Sequence, residues 1–297
     1  MADLQAKHGI AGSVAFGPSA RFGGLPTVTL THACGSSAEV ALFGGCVLSW
    51  RQASGDEVLY VRPDAVFDKS KPVSGGIPHC FPSFGPSDRM QQHGFARNVD
   101  WAVASTSADP NPDDRDPEVE LLLEPSDYTK AMWPFDFKAA YTVTLHGETL
   151  RTQLRVANTG SETFDFTAAL HTYIEVLSAS KAQVRGLKGL TYLDKSADPK
   201  NPARKTEERE AVTFGAALVD SVYLASPPHV ELDVGTGAAV GIDASGWTDT
   251  VVWNPHTTMP ACCDKFVCVE NAAVGEAVVL APGASWAATA DFSVVDL

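Results

Sequence analysis

The sequence predicts an all-β protein, a large antiparallel β-sandwich occupying residues 1–297 as a single domain. Three observations carry that prediction. Short apolar segments with alternating character recur at close spacing along most of the chain, separated by Gly, Pro, Asn and Asp. Helical periodicity is almost absent. No shift in composition marks a domain boundary, and 297 residues at 44% hydrophobic content can bury one large core.

In chain order, residues 1–26 mix Gly, Ala and Pro and offer few anchors. From Thr27 to Trp50 the runs VTLTHA and EVALFGGCVLSW alternate, and Gly44-Gly45 marks a hairpin or bulge. Glu57 to Val61 reads as a further strand, and Asp64 to Pro72 as a loop. After Trp101 come a strand, an acidic Pro-rich surface loop (SADPNPDDRDPE), and a strand from Glu118 to Leu123. KAAYTVTL (138–145) and LRTQLRVA (150–157) pair across His146-Gly147-Glu148. In the second, Leu150, Thr152, Leu154 and Val156 share one face, and Arg151, Gln153 and Arg155 the other. Asn201 to Ala211 is charged all round and is expected as an exposed loop or short surface helix. From Val212 onward short strands resume to the end of the chain.

The formal net charge is -14. Such a surface repels polyanions, so neither nucleic acid nor anionic membrane is an expected partner. No apolar run approaches a membrane-spanning length. The six cysteines, Cys34, Cys46, Cys80, Cys262, Cys263 and Cys268, form no CxxC pair and are expected to be free thiols in a reducing compartment. Cys262-Cys263 with Cys268 offers a thin case for a soft metal, outweighed by buried packing. P-loop, GxSxG, HExxH and dinucleotide fingerprints are missing, and Asp113-Asp114 lacks calcium-loop spacing.

The stretch Gly75 to Trp101 is long, irregular and poor in acidic residues within an acidic chain, which marks it as a site rather than a connector. Its Gln91, Gln92, His93 and Arg97 provide donors and acceptors suited to sugar hydroxyls, and Arg97 can take an anion in bidentate geometry. A locally hydrogen-bonded loop with a surface salt bridge is the plain alternative. His79, Phe81, Phe84 and Phe95 are expected to wall this site. On the strand Thr163 to Val176, parity sets His171 with Asp165, Thr167, Tyr173 and Glu175, away from the phenylalanines. An imidazole there can exchange a proton near neutrality, although the strand alone favours an ordinary structural histidine. Glu270 closes the run FVCVE, apolar on both faces, so it is either a rim carboxylate or a partly dry one poised as a general base.

GGIPHCFPSFG, QHGFAR, LHTYIEV, DSVY, VVWNP and FVCVENAAV together resemble the glucose-6-phosphate 1-epimerases, hexose-6-phosphate mutarotases with the galactose-mutarotase β-supersandwich fold. The motifs run in family order from about Val40 onward. The resemblance implies His171 and Glu270 as catalytic, and Gln92, His93, Arg97 and Asp220 as substrate-binding. It implies acid–base opening of the sugar ring, Glu270 as base and protonated His171 as acid, with neither metal nor cofactor. The expected partner is a small sugar phosphate and the expected state a monomer.

One departure stands out. Many members of that family carry an arginine immediately before Gly-Gly-Ile that helps clamp the phosphate; here it is Ser74, a possible phosphate contact without charge. Lys71 and Arg185 are the substitutes considered from sequence. Two alternative functions follow: an aldose 1-epimerase for an unphosphorylated or different sugar, and a non-catalytic carbohydrate-binding or scaffold protein on the same sandwich. The wording PVSGGIPHCFP…QQHGFARNVDW resembles the plastid-type plant and algal branch, which implies a chloroplast stromal protein whose transit peptide is gone, with the cytoplasm as alternative.

Overall fold

The computed structural model describes residues 1–111 and 115–297, so Asp113 and Asp114 lie outside the described residues. The chain opens with a short helix, α1 (Ala2–His8), that the sequence reading did not anticipate. Ala, Leu, Gln and Lys are good helix formers, and the Gln5 side chain ties the helix to the sheet by accepting from Phe16 N at 2.7 Å. Then come β1 (Val14–Pro18), β2 (Pro26–Thr31), β3 (Ser37–Ala41) and β4 (Val47–Arg51), a four-stranded antiparallel sheet in sequence order. Gly44 and Gly45 both take positive φ between β3 and β4, as the hairpin reading requires.

The next fifty residues contain one regular strand, β5 (His79–Cys80). Glu57 to Val61 does not form the expected strand. It makes isolated bridges to three different partners, Arg51, Ile174 and Gly75, because no single neighbour runs beside it for long. The chain then forms β6 (Ala102–Ala108), β7 (Pro117–Leu123), a one-turn helix α2 (Asp127–Lys130), β8 (Phe137–His146) and β9 (Thr149–Asn158). Residues Leu145 and Leu150 pair across the β8–β9 hairpin, and the alternation on β9 is as read: Leu150, Thr152, Leu154 and Val156 are buried, with Arg151, Gln153 and Arg155 exposed.

The remaining strands are β10 (Phe164–Leu170), β11 (Tyr173–Glu175), β12 (Gln183–Arg185), β13 (Thr191–Asp194), β14 (Ala203–Thr206), β15 (Ala211–Thr213), β16 (Val219–Tyr223), β17 (His229–Asp233), β18 (Ala238–Ser245), β19 (Asp249–Asn254), β20 (Phe266–Leu280) and β21 (Ser285–Asp296). The segment expected as loop or helix around residue 205 is the edge strand β14, pairing β13 from Thr191↔Thr206 to Asp194↔Ala203. With no apolar face it cannot pack as a helix, and an exposed charged edge suits it.

These strands form two large antiparallel sheets. One runs β14-β13-β16-β19-β20-β10-β5, with β11 also on β20; the other runs β15-β12-β17-β18-β21-β9-β8-β7-β6. Their facing sides enclose the main core, in which Trp133 packs with Phe81, Phe95, Phe137 and Phe164. The outer face of the first sheet is also largely covered, and this positions the site. On β20, Val267, Val269 and Ala273 enter the core, whereas Phe266, Cys268, Glu270 and Ala272 point the other way. The strand then continues past a distortion where the Asp249 carboxylate accepts from Val274 N at 2.9 Å and Gly275 N at 2.8 Å. Glu270 therefore sits in the interior of a long strand rather than at its end.

Candidate active site

The pairing of β10 and β11 with β20 explains why His171 and Glu270 meet. Leu170 pairs with Asn271 and Tyr173 with Cys268, so the same register carried between them sets His171 opposite Glu270. Directly opposed residues share a sheet face. His171 itself leaves the ladder, its N–H donating to Pro78 O at 2.9 Å, and its Nδ1 lies 3.4 Å from Glu270 Oε1. Glu270 is only 1% exposed and His171 9%. Parity from the sequence chose the correct face, but the neighbours are aromatic rather than polar. Tyr173 stacks on the imidazole at 4.8 Å between ring centroids, and Trp253 and His93 each present an edge at 5.6 Å.

The loop Gly75 to Trp101 closes over this face. Backbone strain holds His93 there: it has φ 66°, its N–H donates to Gly85 O at 2.9 Å, and its Nδ1 accepts from Gly85 N at 3.1 Å. That fixes the tautomer with the proton on Nε2, which lies 3.2 Å from the Gln92 side-chain amide. Gln92 is exposed, and its carbonyl accepts from Arg97 Nη2 at 2.9 Å. Arg97 Nε is buried without a hydrogen-bond partner. Phe84 lies against His93 with 5.2 Å between centroids. His79, Phe81 and Phe95, expected as walls, belong instead to the interior. His79 pairs with core-facing Leu170 and stacks on Trp101, and Phe81 and Phe95 join the main core.

On the other flank, Asp220 of β16 pairs with Trp253 of β19, and Val251 pairs with Glu270, so Asp220 shares the face of Glu270 two strands away. Beside Asp220 is a residue the sequence reading did not single out. Lys195 Nζ is 3.8 Å from Asp220 Oδ1 and 5.0 Å from the centroid of the Phe84 ring. A lone lysine after a short strand carries no local signal, and only the β13–β16 pairing brings it here. Of the two substitutes considered for the missing arginine, Arg185 faces Glu231 and Asp233 on the other sheet, and Lys71 is exposed. Arg185 is thereby directed away from the site.

Burial dominates the electrostatics. Desolvation, then the charge of Arg97, lowers the His171 pKa from 6.5 to about 3. Desolvation, then Asp220, raises Glu270 well above 4.5. Desolvation and the neighbouring His171 lower His93 to about 2, and Asp220 is raised by its own burial. Both shifts favour the neutral forms, a protonated Glu270 and an uncharged His171, over the charged pair that the resemblance implies. The two descriptions differ by the position of one proton along a 3.4 Å contact, and the pair carries the same net charge in both. Glu270 Oε2 and His171 Nδ1 have no hydrogen-bond partners, so their capacity is left for a ligand. Cys262 and Cys268, weighed as metal ligands, pack with Tyr173 and Phe266 in an apolar cluster.

Such an arrangement can pass a proton to one oxygen of a sugar and take one from another. Comparison with known proteins agrees. The aldose 1-epimerase family profile matches residues 26–293. A Cenchrus ciliaris protein provisionally named glucose-6-phosphate 1-epimerase is 36% identical over 279 residues, covering 89% of this chain and 83% of its own. An Escherichia coli protein with the same provisional name is 30% identical over 254 residues, 80% of each chain. The crystal structure of a provisionally assigned Salmonella typhimurium mutarotase superposes with a TM-score of 0.80 at 25% identity, covering 92% of this chain and 91% of that one. The galactose 1-epimerase of Lactobacillus acidophilus shares the fold, with a TM-score of 0.75 at 14% identity over 96% and 99% of the two chains. The profile match over residues 26–293, with relatives of 36% and 30% identity, places the chain in the aldose 1-epimerase family, enzymes that interconvert sugar anomers.

Proposed function

We propose that this epimerase acts on a hexose 6-phosphate, glucose 6-phosphate first among them, with His171 and Glu270 as its acid–base pair. The observation that carries the reading is their opposed, buried placement at 3.4 Å. Before reaction the shared proton moves to His171, leaving Glu270 ionised. Glu270 then takes the proton of the C1 hydroxyl. The C1–O5 bond breaks, its electron pair goes to O5, and O5 receives the proton of His171. The C1 aldehyde rotates about the C1–C2 bond, and closure on the other face reverses both transfers. Each positioned group contributes roughly 10²–10⁴-fold in rate. Gln92, His93, Arg97 and Asp220 hold the sugar hydroxyls.

The 6-phosphate is supported by the names of the curated relatives and by cations gathered in an acidic protein. Arg97 and Lys195 both face the pair closely enough to lower the His171 pKa. An unphosphorylated aldose is the competing substrate, favoured by the uncharged Ser74. Exchange spectroscopy of the α and β anomers, run on glucose and on glucose 6-phosphate side by side, separates the two. A kcat/KM clearly higher for the phosphate ester is expected; equal values would remove the case for phosphate recognition.

A further inference from the structure

A phosphate ester bound in this acidic protein would need a cation near the uncharged Ser74, and the backbone pairing points to one. The segment Tyr60 to Arg62 runs antiparallel to Ser74 to Gly76. Val61 bridges Gly75, Gly76 N donates to Tyr60 O at 2.8 Å, and Arg62 N donates to Ser74 O at 2.9 Å. Arg62 and Ser74 are therefore directly opposed, with side chains on the same side of the ladder and Cβ atoms about 5 Å apart. The approach is close because Gly75 and Gly76 allow it: a Cβ on Gly75 would lie 2.4 Å from Val61 Cα.

We propose that Arg62 is the phosphate-recognising side chain of this site, reaching from the neighbouring segment into the place that Ser74 leaves uncharged. This rests on the hexose 6-phosphate reading above. Four observations support it. The Arg62 side chain is only 15% exposed, so it is held in place rather than waving in solvent. Its ion pair with Asp64 uses Nε and Nη2, at 2.9 Å and 2.5 Å, which keeps Nη1 outside the fork. Tyr60 N donates to Tyr173 O at 3.0 Å, so the Arg62 segment lies next to the strand that stacks Tyr173 on His171. It thus lies about two strand spacings, roughly 10 Å, from β20 and Glu270, on the side away from Lys195. A sugar whose C1 is at the His171–Glu270 pair can direct its 6-substituent that way. Arg62 also acts electrostatically on the site, lowering the His171 pKa, beyond the effect of burial, together with Arg97 and Lys195.

The test compares the wild type, Arg62→Gln, Arg62→Lys and the exchanged double variant Arg62→Ser/Ser74→Arg by anomer exchange on glucose 6-phosphate and glucose. Near-UV circular dichroism identifies the folded variants. The expected result for Arg62→Gln is a KM for glucose 6-phosphate raised about 10- to 100-fold, the loss of a charge-assisted hydrogen bond, with little change in kcat. Arg62→Lys and the exchanged variant should recover much of the preference, and they carry the test if Arg62→Gln does not fold. A wild type that prefers the phosphate ester, together with an Arg62→Gln variant of unchanged KM, would overturn the role of Arg62 while leaving the substrate reading intact. A wild type without any preference would overturn the substrate reading, and the role of Arg62 with it.

Discussion

Replacing Glu270 by Gln separates catalysis from stability more cleanly than any other single change. The amide keeps the shape of the side chain but cannot act as a proton base. If the carboxylate supplies the usual contribution of one positioned group, kcat falls about 10²–10⁴-fold, or roughly 3–5 kcal/mol on the barrier. The same change should not weaken the fold. Glu270 is 1% exposed, its Oε2 has no hydrogen-bond partner, and its acid form is favoured first by burial and then by the nearby Asp220 carboxylate. Because its folded pKa lies above 4.5, the native state keeps a proton that the unfolded chain has released, so this residue's contribution to stability declines as pH rises above 4.5. Gln carries no such term. The variant should therefore be at least as stable as the wild type, with a margin that widens from acid to neutral pH. For a chain of this size each kcal/mol moves the melting temperature by about 2 °C. Exchange spectroscopy measures the rate, and calorimetry at two pH values measures the margin. A folded Glu270→Gln enzyme with full activity would refute the catalytic assignment, and a lower melting temperature at neutral pH would refute the account of its burial.

Two further predictions follow from the same geometry. Burial lowers the His171 imidazole from 6.5 to about 3, so the rate should carry no titration of that imidazole at its ordinary value; rates measured between about pH 5 and pH 8 check this, with glucose run alongside because the phosphate itself titrates near 6, and a midpoint at 6.5 that His171→Asn removes would contradict it. Gly76→Ala should destabilise the protein by more than about 1 kcal/mol, read by urea unfolding, because φ is 68° and the new Cβ would meet Val47 O at 2.1 Å.

Most of the longer strands, the β8–β9 hairpin and the faces of β9 were readable because a period of two is a local property of the chain. The helix α1 was not, since seven residues carry too little periodicity to register, and β14 was not, since its pairing with β13 is a tertiary choice made by an all-charged segment. In the site, His171 was read onto its correct face by parity, whereas Glu270 was misplaced at a strand end because the distortion held by Asp249 makes two apparent strands one. Lys195 and Arg62 went unnoticed because each is a single cation whose meaning depends on which strand lies beside it.

By itself the sequence determined an antiparallel β-sandwich and the face of its strand that His171 takes, and through its motifs it singled out His171, Glu270 and Ser74; all are local patterns or residue identities. The tertiary structure decided the 3.4 Å contact between His171 and Glu270, the burial that raises the Glu270 pKa, and the placing of Arg62 opposite Ser74. Those depend on the register between segments up to about a hundred residues apart, and register is set by whole-sheet packing rather than by any one segment's pattern.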